Sequence, residues 1–130
     1  MFMLKKVIAV GALLILGGCA SSDADVANAM AKSRAASINS KAPYPKIDAY
    51  QIVRAQAKGH TVEITILYGG NSTISPTQAA KSAARSYCNN DELTPFFAQG
   101  VNYNIAIMDM QGRKLVQQPI SEAYCKQQTL

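Results

Sequence analysis

Between His60 and Tyr68 apolar and polar residues alternate with a period of two. Val62, Ile64, Ile66 and Tyr68 fall on one face, and Thr61, Glu63 and Thr65 on the other. That spacing predicts a strand with one buried face. A strand-like segment from about Ala49 to Ala57, with Tyr50, Ile52 and Val53, precedes it, and Lys58-Gly59 between them predicts a hairpin turn. The alternation returns at Val101, Tyr103, Ile105 and Ile107 against Asn102, Asn104 and Ala106, so Val101 to Met108 reads as another half-buried strand. Asp109 to Gly112 predicts a turn, and Arg113 to about Pro119 a last strand, with Pro119 best tolerated at an edge.

Two other stretches carry helical spacing. Ser21 to about Lys41 places Ala27, Ala31 and Ala35 at i, i+4 and i+8, flanked by Val26, Met30 and Ile38. Ser21, Ser22 or Asp23 can cap its start, Asp23 and Asp25 suit the positive end of the helix dipole, and Lys32, Arg34 and Lys41 suit the other end. Pro43 and Pro45 then punctuate a linker. Ser75 followed by Pro76 predicts a second helix to about Cys88, with Ala79, Ala83 and Tyr87 in one row and Ala80, Ala84 and Cys88 in the next. Leu93 to Gln99 predicts a short helical turn, and Ser121 a cap for a final turn carrying Cys125. The sum is a two-layer α+β domain: a largely antiparallel sheet with flanking α-helices on its apolar face.

The first residues belong to a different regime. Lys5 and Lys6 are followed by an apolar run of twelve residues from Val7 to Gly18. Crossing a bilayer takes about 20 residues, so the run reads as a secretory signal. Leu16-Gly17-Gly18-Cys19 looks like a bacterial lipobox, with Cys19 as the thiol that receives diacylglycerol and, after cleavage, an N-acyl chain. Two acyl chains already give stable attachment, at about 0.8 kcal/mol per buried methylene. Ala20, rather than Asp, follows the cysteine, which in the enteric sorting rule favours the outer membrane, facing the periplasm. The expected organisation is a signal peptide over 1–18, a lipidated tether over 19–24 and one domain over 25–130.

Composition narrows the function. The 130 residues carry a formal charge of +5, which falls to +3 when Lys5 and Lys6 leave with the signal. Spread along the chain, that is a solvated surface and not a nucleic-acid footprint. Of the 130 residues 20 are Ala, there is no Trp, and His60 is the single histidine. These counts exclude a large multidomain enzyme, a collagen-like chain and a highly charged disordered protein, and they leave little for metal chemistry. With Cys19 lipidated, Cys88 and Cys125 remain, and in an oxidising compartment such a pair is normally a disulfide. Two free buried thiols or a two-thiolate metal site are the alternatives, and no His lies near either Cys in sequence. The bridge would contribute about 4 kcal/mol on the chain-entropy model.

Catalytic signatures are missing from the sequence. No segment forms a nucleophile elbow, Gly69-Gly70 lacks the downstream Gly and Lys of a phosphate loop, and Asp91-Glu92 at a helix end suits capping and solvation. His60, beside a turn, reads as a surface residue. The reading is a tethered binding module without enzymatic activity and without a cofactor.

From about Asn28 to Cys125 the chain resembles the AspS-type (GspS-beta) pilotin lipoproteins of type II secretion systems. The likeness rests on the lipobox at Cys19, Ala31-Lys32 and Ile38-Asn39, the hairpin with Tyr50, Val53, Ala55-Gln56, Gly59, Thr61-Val62 and Thr65-Ile66, then Cys88, the segment from Gly100 to Ile107, and Cys125. It implies a sheet with flanking helices and one disulfide, and a partner: the C-terminal helical segment of the secretin subunit. Carried by the lipoprotein-sorting machinery, such a protein brings secretin to the outer membrane for assembly. Residue by residue, the resemblance carries over Cys19 as lipid site and Cys88 with Cys125 as the disulfide.

The peptide-binding surface is not carried by a motif. An amphipathic helix docks through spaced apolar anchors, so Leu93, Phe96 and Phe97 are the first candidates and Tyr44, Tyr50 and Ile52 the second, with ordinary core as the alternative for each. A lipoprotein inhibitor of a lysozyme-like enzyme is the competing class. It should present a polar loop to a catalytic cleft, whereas a pilotin needs an apolar groove.

Overall fold

A computed structural model describes residues 22–128. The signal peptide, the lipid site at Cys19 and the first residues of the tether lie outside the described residues. Along the chain come α1 (Asp23–Asn39), β1 (Tyr50–Lys58), β2 (Thr61–Tyr68), α2 (Pro76–Cys88), α3 (Thr94–Ala98), β3 (Asn102–Met108), β4 (Lys114–Ile120) and α4 (Glu122–Gln128).

Ser22 caps α1, its hydroxyl accepting from the Asp25 N–H at 3.1 Å. The small stripe Ala27, Ala31 and Ala35, closed by Ile38, faces inward and lets the helix lie close on β1 and β2. At α2 the Ser75–Pro76 start is a full capping box: Ser75 accepts from the Gln78 N–H, and the Gln78 side chain accepts from the Ser75 N–H. Its small row, Ala80 and Ala84, is fully buried.

The four strands form one sheet in the order β1-β2-β3-β4. Both outer pairings are antiparallel, as two hairpins require, but the central β2/β3 pairing is parallel. The sheet is therefore mixed and not antiparallel throughout. The reason is topological: the connection from β2 runs through α2 and α3 and returns to the same end of the sheet before β3 begins. Periodicity identifies each hairpin but not how two hairpins abut. The first turn also sits one residue later than the sequence suggests, at Gly59-His60, with Lys58 paired to Thr61. Gly59, at φ +60°, takes the first central position, where a two-residue hairpin turn demands positive φ.

The inward alternating positions named from the sequence meet in one core, with Ile66 and Tyr68 half-buried at its margin. Val62, Ile64, Tyr103, Ile105, Ile107 and Ile120 are each less than 2% exposed, and burying a side chain of this size contributes about 1.5–3 kcal/mol before ordering costs. On the opposite face of the sheet Lys58 pairs with Glu63 at 3.2 Å and Asn104 donates to Gln117 at 3.1 Å. Cys88, ending α2, is joined to Cys125 in α4, with Cα atoms 5.2 Å apart. This ties the segment after β4 to the central helix.

Candidate functional site: an apolar cleft at one end of the sheet

The chain leaves α1 through Pro43 and Pro45 and passes over the end of the sheet before entering β1. It leaves an uncovered cleft of about 470 Å³ between that linker and α2. Ile52, Ile66 and Ile107, from three adjacent strands, make its floor. One wall is α2, where Ala79, Ser82 and Ala83 offer no bulk beyond the Cβ or hydroxyl. Tyr44, Pro45 and Asp48 from the linker form the other.

Hydrogen bonds across two loops hold the rim. The Tyr50 hydroxyl donates to the Ile74 carbonyl at 2.6 Å, the Gly69 N–H donates to the Ala49 carbonyl at 2.8 Å, and the Ser72 hydroxyl donates to the Asp48 carboxylate. The Tyr50 ring stacks on Tyr68 with centroids 4.9 Å apart. Partial loss of water, then the neighbouring Tyr68 and Asp48, raise the Tyr50 pKa, so its hydroxyl stays a donor across the physiological range. On the linker side the Tyr44 N–H donates to the Ile52 carbonyl at 3.0 Å and the Gln51 amide donates to the Tyr44 carbonyl at 2.9 Å. Two large apolar side chains stand at the mouth in water: Ile47 is 78% exposed and Ile74 is 46% exposed. An apolar depression with apolar flanks, its rim held by loop–loop hydrogen bonds, is suited to spaced apolar anchors of a partner.

Of the candidate contact residues, Tyr44, Tyr50 and Ile52 come together in this cleft. Leu93 and Phe97 do not; they are 3% and 7% exposed in the core, with Phe97 edge-on to Tyr103 at 5.6 Å. Phe96 is half-buried beneath the Arg34 guanidinium, away from the cleft. Consecutive residues of a five-residue helix point in different directions, so the Phe pair divides between core and surface. His60 is exposed on its turn, and among the described residues no group of three or more His, Cys, Asp and Glu could hold a metal.

Residues 23–125 match the family described as type II secretion system (T2SS) pilotin, S protein. The chain belongs to this pilotin family. Among its relatives, Pilotin AspS 2 of Escherichia coli O78:H11 (strain H10407 / ETEC) is 31% identical over 113 residues, covering 85% of this chain and 82% of that protein. Lipoprotein YghG of Escherichia coli (strain K12) is similar by the same figures. The solved structure of the type II secretion system pilotin AspS from Vibrio cholerae superposes with a TM-score of 0.70 at 26% identity, over 79% of this chain and 95% of that one. Membership places this pilotin among secretion accessory proteins and not among enzymes, and it gives no indication of a cofactor. The pilotin's α+β class is the one expected from the strand and helix spacing, and its Cys88–Cys125 bridge is the one expected of two cysteines in an oxidising compartment.

Sequence reasoning missed part of the site. Ile47 and Ile74 fall outside every periodic segment, and the signal that marks them is that each is a lone Ile within a polar, turn-rich stretch. Helical spacing assigns Ala79 and Ala83 to packing positions; in the structure they remain half-buried against the cleft.

Proposed function

We propose that this pilotin binds the C-terminal helical segment of the secretin subunit in the cleft between α2 and the 44–48 linker. Lipidated at Cys19 and carried by the lipoprotein-sorting machinery, it delivers the secretin to the outer membrane for assembly. The observation that carries the reading is the open apolar cleft with Ile47 and Ile74 exposed at its mouth. A segment whose apolar anchors seat against the half-buried Ile52 and Ile66 removes that surface from water at about 25 cal/mol per Å². The near absence of side-chain bulk on Ala79, Ser82 and Ala83 leaves room for a helix alongside α2. An inhibitor of a lysozyme-like enzyme would instead present a projecting polar loop, and the concave apolar surface argues for the pilotin role.

Deleting the gene and fractionating membranes tests the proposal. Secretin should be lost from the outer membrane and recovered there on complementation. Normal outer-membrane assembly in the deletion strain, with no second pilotin encoded, would refute it.

A further inference from the structure

Arg34 does not lie among the solvated cations of α1. It shares the row Met30, Arg34 and Ile38 at i, i+4 and i+8, and both neighbours in that row pack on the core. Its guanidinium carbon sits 6.0 Å from the centre of the Phe96 ring. Its Nε and the Tyr103 hydroxyl are both sealed from water, and the guanidinium lies close enough to that hydroxyl to act on it as a hydrogen-bond donor. Tyr103 in turn meets the Tyr87 ring edge-on at 5.2 Å. Burial raises the pKa of both tyrosines, and in both the nearby Arg34 opposes the rise. The ion pairs of the described residues are Lys58–Glu63, Arg113–Asp109 and Lys126–Glu122. Arg34 is in none of them. A half-buried guanidinium whose partners are an aromatic ring and one phenol hydroxyl, with no carboxylate, keeps donor capacity to spare.

Along α2 this cluster adjoins the cleft without lining it. Tyr87 follows the cleft residue Ala83 by one turn of α2, about 5–6 Å along the helix. Tyr44, which lines the cleft, also acts electrostatically on Tyr87. We infer that Arg34 receives a carboxylate carried by the docked secretin segment, either an acidic side chain or a chain terminus. The inference rests on the docking reading above and gives it chemistry. The apolar cleft supplies burial but little register, since apolar anchors slide with small penalties. A guanidinium at one end fixes the register, because a carboxylate in a partly dry site forms strong, directional, charge-assisted bonds to it.

The test titrates a synthetic peptide of the C-terminal segment of the same system's secretin into the mature lipoprotein in detergent micelles, at low and high salt. Wild type should bind and weaken with salt. Arg34→Met should bind at least about tenfold more weakly with little salt dependence, and Arg34→Lys should fall between them. Peptides in which each Asp or Glu is replaced singly by its amide, and one with an amidated terminus, separate the two carboxylate sources. One of them should weaken binding to wild type yet leave Arg34→Met unaffected. These peptides leave the protein untouched, so they decide the matter even if Arg34→Met folds poorly. If every amide peptide binds wild type like the parent, the inference is overturned while docking stands. A parent peptide that fails to bind wild type overturns both.

Discussion

Asn39, the last residue of α1, clasps Ala55 in β1 from both sides: its Nδ2 donates to the Ala55 carbonyl at 2.7 Å and its Oδ1 accepts from the Ala55 N–H at 2.8 Å. β1 is an edge strand, and its register slips between Ile52 and Arg54. The side-chain amide therefore does for Ala55 what a neighbouring strand would do, and it covers part of an edge open to pairing with other chains. Asn39→Ala removes two hydrogen bonds and leaves two backbone groups beside a buried residue. At about 1 kcal/mol for each bond, the expected loss is about 2 kcal/mol. Denaturant unfolding should show a lower midpoint with an unchanged slope, and Asn39→Asp, which cannot donate, should not restore it.

The cleft and the core make opposite predictions for two substitutions. Ala83→Phe adds bulk to the wall of an open space, so secretin-peptide affinity should fall more than about tenfold while the melting temperature moves by only a few degrees. Phe97→Ala removes a 7%-exposed side chain from the core and should cost about 3–5 kcal/mol of stability. Under conditions where that variant remains folded, its peptide affinity should stay close to wild type. Calorimetric titration alongside thermal unfolding separates the two. A Phe97→Ala protein that folds normally but has lost binding would return the site to the short helix α3.

The elements themselves could be read from the chain because each depends on local spacing. Val62, Ile64 and Ile66 alternate, Ser75-Pro76 starts a helix, and Ala27, Ala31 and Ala35 make an inward stripe, and each occupies that role. What escaped depends on contacts between distant segments. The parallel pairing of Ile64 with Ile105 is set by a crossover, and the cleft exists because Tyr44, Ile52, Ala79 and Ile107 converge from four elements. Arg34 is an instructive case. Its place near the end of α1 suggested a dipole-complementing surface cation, yet the four-residue steps from Met30 and to Ile38 already put it on an apolar row.

Tyr87 gives the fold an alkaline limit. Burial first, then the neighbouring Tyr103, pushes its pKa up to about 12 from the ordinary 10.0. In the folded state the phenol keeps its proton where the unfolded chain would lose it. The associated stability is fully present below pH 10 and is lost as the pH rises to about 12, a total of roughly 2–3 kcal/mol. Lysines titrate in the same window, so the measurement is a comparison of wild type with Tyr87→Phe. The variant should lack this part of the decline above pH 10 and otherwise follow wild type. Parallel stability curves across pH 9–12 would contradict the assignment.

The start of α1 and the cleft lie at opposite ends of the sheet. Near the start of α1, a Cβ built at Gly100 would come within 3.7 Å of Ala27 Cβ, and one built at Gly59 within 4.0 Å of Asn28 Oδ1. These contacts place the first turns of α1 beside the β1–β2 turn. Tyr50 and the cleft mouth are at the other end of the nine-residue strand β1, about 30 Å away. With lipid on Cys19, Ala20, Ser21 and Ser22 alone separate the anchor from α1, a reach of about 10 Å. Such a tether would permit tilting but keep the α1 start nearer the bilayer, so the expected orientation has the cleft facing away from the membrane. A fluorophore on His60→Cys in the lipidated protein should be quenched by brominated lipid much more strongly than one on Ile47→Cys. Equal quenching at the two positions would mean that the domain lies on its side, with the cleft against the lipid.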